Sequence, residues 1–182
     1  MQKLSAIVVA LCLMTAAGLA QVPTAGNVFF GYSYNRGNTG VSGNGNLNGW
    51  EGSFEGRVIP HIGMVADFGE TYGTLVLPTF FGNFNASTHV SSYLFGPRVS
   101  ASVGKFRPFA HVLIGAAHLN QSASGGAVTY SETDFGDAIG GGVDYRVMSP
   151  LSVRVQVDDL QTRFFSGLQN DTRISTGLVL HF

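Results

Sequence analysis

"LSVRVQVDD", residues 151–159, alternates without a break. Leu151, Val153, Val155 and Val157 fall on one side; Ser152, Arg154, Gln156 and Asp158 fall on the other. A period of two is the signature of a strand with one apolar and one polar face. The pattern returns along the chain. In "NVFFGYSYN" (27–35), Val28, Phe30, Tyr32 and Tyr34 share a face. "WEGSFEGRV" (50–58) sets Trp50, Phe54 and Val58 against Glu51, Ser53, Glu55 and Arg57. "IGMVADF" (62–68), "SYLFGPRVSA" (92–101), "FGDAIGGGVDYRV" (135–147) and "RISTGLVLHF" (173–182) alternate in the same way. "FRPFAHVLIGAAHL" (106–119) is apolar on both faces. Ala110, Val112, Ile114 and Ala116 are placed outside, which turns His111 inward together with Phe109 and Leu113. That makes eight strands.

Composition says which solvent surrounds them. Charged residues are 12% of the chain, about half the usual share of a soluble domain. The net charge of −1 gives no electrostatic case for nucleic acid. The apolar run from Ala6 to Met14 follows Lys3 and ends in small residues, Gly18 and Ala20. That is the form of a secretory signal, cut before Gln21, and the run is too short for a spanning helix. Residues 21–182 then form one domain. The sole cysteine, Cys12, lies in the signal, so disulfides do not hold the mature chain together. An exported chain this apolar, with no helix-length apolar run, fits a transmembrane β-barrel, whose strands need only alternate apolar positions.

The links alternate in length. Tight ones fall at 58–63, 102–106 and 147–151; long polar ones fall at 36–46, 74–87, 119–132 and 162–171. This predicts an all-β, eight-stranded, antiparallel up-and-down barrel, with short turns in the periplasm and long loops outside the cell. A soluble barrel of the lipocalin kind alternates too, but shows its charged face to water. Here glycines crowd the polar face (Gly96, Gly136, Gly140, Gly142, Gly177), aromatics gather near strand ends, and the polar-face charges mix both signs. These features favour a filled lumen and a lipid-facing exterior.

The chain resembles the OmpA/OmpX-like family of small outer-membrane β-barrel proteins over nearly its whole mature length. The resemblance rests on the signal, the eight alternating segments, "YLFGPRVS", "RPFAHVLIGAA", "GGGVDYRV" and the terminal "TGLVLHF". It implies a bacterial outer-membrane location and a monomer surrounded by outer-membrane lipid. Periplasmic chaperones and the barrel assembly machinery are the implied partners. The alternating end of the last strand, Thr176, Leu178, Leu180 and Phe182, is the implied assembly signal.

The charges expected to face inward are Glu51, Glu55, Arg57, Asp67, Arg98, Asp144, Arg146, Arg154, Asp158 and Arg173. Counted from the short turns, Glu55, Asp67, Arg98, Asp144 and Arg154 lie at similar heights and predict a salt-bridged plug. Buried charges must be paired, so the first expectation is a structural barrel whose loops bind surfaces or ligands. The alternative is a narrow gated pore, in which ion pairs swap partners. A third reading is a lipid A-modifying enzyme, since some barrels use His and Ser two residues apart with a Glu. "THVSSY" offers His89 and Ser91 at that spacing, but it lacks the following Asn, lies in the fourth strand rather than near the C-terminus, and has no nearby Glu partner. No enzyme activity is expected. His61, His111, His118 and His181 are scattered without metal-ligand spacing, and no cofactor is expected.

Overall fold

The computed structural model describes residues 25–38, 44–79, 82–123, 129–162 and 169–182. The segment read as an export signal lies outside them. Eight strands follow in order: β1 (Gly26–Asn38), β2 (Asn44–Ile59), β3 (Ile62–Thr79), β4 (Gly82–Ser100), β5 (Phe106–Ala123), β6 (Thr129–Met148), β7 (Leu151–Thr162) and β8 (Gln169–His181). Each pairs antiparallel with its sequence neighbour, and β1 pairs with β8, closing the barrel. Closure leaves no strand edge unpaired, the condition for a sheet to cross lipid. Among the described residues no helix is long and apolar enough to cross a membrane.

The alternation read from the sequence is the alternation of burial. Along β7, Ser152, Arg154, Gln156 and Asp158 are buried, while Val153, Val155 and Val157 are exposed. The lipid-facing row of β8 is Ile174, Leu178, Leu180 and Phe182, all exposed. On β5, Phe109, His111 and Leu113 point in and Val112 and Ile114 point out, as the facing of His111 requires. Aromatic rings pair across strands on the outer wall: Phe30 on Trp50, Phe68 on Tyr93, and Phe54 on Phe182 at 5.8 Å.

Most of the inward glycines have no room for a side chain. A Cβ on Gly96 would stand 2.1 Å from the Val112 carbonyl oxygen, and one on Gly140 would stand 2.0 Å from Asp158 Oδ1. Gly136 is the exception, meeting nothing nearer than 3.5 Å.

The long links are shorter than their composition predicts. β3 continues to Thr79 and β4 starts at Gly82; β5 runs to Ala123 and β6 starts at Thr129. Much of the four polar stretches is therefore paired strand, and the tips at 39–43, 80–81, 124–128 and 163–168 lie outside the described residues. Gly, Asn, Ser and Thr read as turn formers, but a strand that has left the apolar band meets water on its outer side. It needs no apolar alternation to keep its ladder. The strands are 12 to 20 residues long, against the roughly 9–11 that span a bilayer.

Candidate functional site: the ion-paired lumen

Inward positions on every strand deliver the polar side chains, and two connected groups result. Toward the short turns, Glu55 accepts from Asn27 Nδ2 (2.7 Å), Arg98 Nη1 (3.3 Å) and Arg107 Nη2 (3.0 Å). Beside it, Arg154 binds Asp144 with two parallel hydrogen bonds of 2.6 and 2.9 Å, the planar fork matching the carboxylate. Both guanidinium groups lie over the Phe109 ring, that of Arg98 at 4.3 Å and that of Arg154 at 4.5 Å from its centroid. An aromatic ring attracts both cations.

The second group is centred on Arg173. Its Nη1 donates to Asp67 Oδ1 (2.9 Å), its Nη2 and Nε to Asp158 Oδ2 (2.7 and 3.0 Å), and its Nε lies 3.4 Å from Glu51 Oε2. Gln156 Nε2 donates to both Glu51 and Asp158, and the Ser175 hydroxyl donates to Glu51. His111 joins the groups. Its Nδ1 faces Arg98 Nη2 at 3.0 Å and its Nε2 faces Asp158 Oδ1 at 2.8 Å. Arginine only donates, so Nδ1 is the acceptor and Nε2–H donates to Asp158. On the wall from β3 to β7, Val65, Leu94, Leu113, Ala138 and Leu160 form a buried apolar cluster. Asp67 Oδ2 and Gln156 Oε1 have no protein hydrogen-bond partner, places where buried polar atoms commonly hold ordered water.

The structure therefore brings Glu51, Glu55, Asp67, Arg98, Asp144, Arg154, Asp158 and Arg173 into the lumen. It does not gather them as counted height predicts. Asp67 belongs with Arg173, not with Glu55 and Arg98, because strands tilt and stagger in a barrel. Arg57 and Arg146 have inward parity but stand exposed at the short-turn mouth, outside the ion-paired groups. Arg107 was missed by sequence reasoning. Its signal was its parity with His111.

On the outer wall near the long-loop end, Glu70 accepts from the Tyr72 hydroxyl (2.6 Å) and from Trp50 Nε1 (3.3 Å). His89 stacks on Tyr72, with its Nε2 3.9 Å from Glu70 Oε2. His89 thus has a Glu neighbour after all, far from it in the sequence but on the adjacent strand, where Glu70 is paired with Ser91. His89 Nε2 has no hydrogen-bond partner, and Ser91 is only 7% exposed. A nucleophile activated by a base needs the two in hydrogen-bond reach and open to substrate.

No family model matches the chain, and no curated protein matches it. Solved structures do. Ail, the attachment invasion locus protein of Yersinia pestis, superposes with a TM-score of 0.62 at 14% identity, covering 87% of this chain and 98% of that one. Neisserial surface protein A gives 0.64 at 10% identity, covering 87% and 96%. A major outer membrane protein from Thermus thermophilus gives 0.57 at 10%, covering 87% and 100%. At such identities the likeness concerns the fold, and it spans almost the whole of each barrel. The chain has the fold of the small outer-membrane β-barrels, the OmpA/OmpX-like architecture that its sequence resembles.

Proposed function

We propose that this chain is a structural outer-membrane barrel with a closed interior, its long-loop end facing outside the cell, and that it catalyses no reaction. One observation carries the reading. Among the described residues Arg98, Arg154 and Arg173 are the largest fully buried side chains, and each is held by a carboxylate from another strand. Opening a path through them separates buried ion pairs, at about 3–5 kcal/mol for each uncompensated charge. Recordings of the refolded protein in planar bilayers test it. Silence is the expected result, and steady conductance would establish the narrow pore instead.

A ligand met at the cell surface is taken by the long-loop end. Ail has been crystallised with the heparin analogue sucrose octasulfate, which supports surface binding as a role for a barrel of this fold.

The end of β8 also serves as the signal read by the barrel assembly machinery after periplasmic chaperones deliver the chain. Leu178, Leu180 and Phe182 form an exposed row, and Thr176 lies in the same row. Losing the Phe182–Phe54 ring pair costs folded stability only about 0.5–1.5 kcal/mol. Deleting Phe182 is therefore expected to reduce outer-membrane insertion in cells while leaving refolding into detergent micelles nearly intact. Equal loss in both assays makes Phe182 a packing residue and ends the signalling role.

A further inference from the structure

The charges of the barrel are unevenly distributed along its axis. Around Arg173 there are three carboxylates, Glu51, Asp67 and Asp158. Toward the short turns the balance reverses. Glu55 and Asp144 are the carboxylates, and both are engaged by buried arginines, Arg98 and Arg154. Beyond them stand four more cations, Arg57, Lys105, Arg107 and Arg146, lining one cavity of about 130 Å³ at the short-turn mouth.

The cations come from different parts of the ring. Arg57 is on β2, Lys105 in the β4–β5 turn, Arg107 on β5 and Arg146 on β6. Backbone bonds fix them: Arg146 N donates to the Lys105 carbonyl (2.8 Å) and Arg57 N to the Ala25 carbonyl (3.0 Å). Arg107 is tied down by Glu55 and by Ser100, whose hydroxyl accepts from its Nη2 at 2.8 Å. Asp144, held by Arg154, forms part of the wall of this cup. Water takes about 30 Å³ per molecule in the liquid, so the cup holds one small tetrahedral anion with some water. Arg and Lys converging on a recess with little competing negative charge are the donors such an anion needs.

We propose that the short-turn mouth is a binding site for a phosphate oxyanion, either free in solution or carried on a lipid headgroup as a monoester. Arg57 and Arg146 supply the accessible guanidinium groups, Lys105 a mobile ammonium, and Arg107 a fixed positive charge at the wall. Repulsion among these cations is what a bound dianion relieves, so occupancy also ties the short turns together.

The test is NMR of the refolded protein in zwitterionic micelles, following the amides of Gly104, Lys105 and His181. Inorganic phosphate is titrated against chloride at matched ionic strength, since exposed charges are screened by salt. The expected result is a saturable shift with phosphate and none with chloride. In the Arg57→Gln/Arg146→Gln variant the affinity should fall about tenfold or more, which is at least about 1.4 kcal/mol. Both positions are exposed, and an unchanged spectrum around Val155 confirms the fold. Short-chain phosphatidic acid forms the second arm. A response to inorganic phosphate supports a free anion; a response to phosphatidic acid alone supports a headgroup. Shifts that follow chloride, or unchanged affinity in the double variant, overturn the site. So does an equal response to phosphatidylcholine of the same chain length.

Discussion

Replacing Arg173 with methionine should bring the barrel close to unfolding. One guanidinium serves Glu51, Asp67 and Asp158 at once. Methionine fills much of the volume but leaves three carboxylates with only Gln156, Ser175 and His111 as donors. Breaking a buried ion pair by removing one partner costs about 3–5 kcal/mol. That is a large share of the roughly 5–15 kcal/mol that holds most domains folded. The measurement is urea unfolding in phospholipid liposomes. A companion variant separates charge from packing. Asp67→Asn should destabilise the wild type, because it weakens the Arg173 contact, yet should stabilise the Arg173→Met protein by removing one of the stranded charges. A change of sign of that kind is the mark of direct coupling. If Arg173→Met costs less than about 1 kcal/mol, the figure for an exposed pair, the lumen is wetter and looser than its burial implies.

Val155→Arg should be damaging for a different reason. Val155 lies on the outer row of β7, between Val153 and Val157, in the middle of the apolar band. A cation on the lipid face costs about 2–4 kcal/mol near the bilayer midplane and about 0–1 near the interface. Asp159→Arg, on the same row but past the end of the apolar run, is the control and should be nearly neutral. The pair reads depth on one strand with one probe residue, again by unfolding in liposomes. Equal, small effects at both positions would mean that this wall faces water, and the barrel would be a soluble one.

Parity was legible and partnership was not. The alternation in "LSVRVQVDD" decides what points inward, because successive side chains leave a strand on opposite faces. That rule turned Arg154 and Asp158 inward, where they are buried; on β5 it decided nothing, and His111 was turned inward only because it is polar. Arg107 was overlooked because β5 is apolar on both faces around it. Which carboxylate meets which arginine depends on strand tilt and on positions far apart in the chain. Arg173 and Asp67 are 106 residues apart, and nothing local in either segment announces the other. The outer Glu70–His89 contact was invisible for the same reason. Loop lengths were misread because, beyond the bilayer, polar composition ceases to distinguish a turn from a water-exposed strand.

The bonds that fill the lumen also set when it can form. Arg154 reaches Asn27 across 127 positions, Ser175 reaches Glu51 across 124, and Ser33 reaches Ser175 across 142. Each spans most of the described chain, and each links one of the last two strands to one of the first two. Contacts this distant carry the largest loop-closure entropy and form slowly. The charged inner face cannot be enclosed before β8 pairs with β1. Until then its charges remain solvated, which keeps the unfinished barrel compatible with an aqueous compartment. Pairing of β8 with β1 removes the last free edge and encloses the lumen, so closure and the burial of its charges go together.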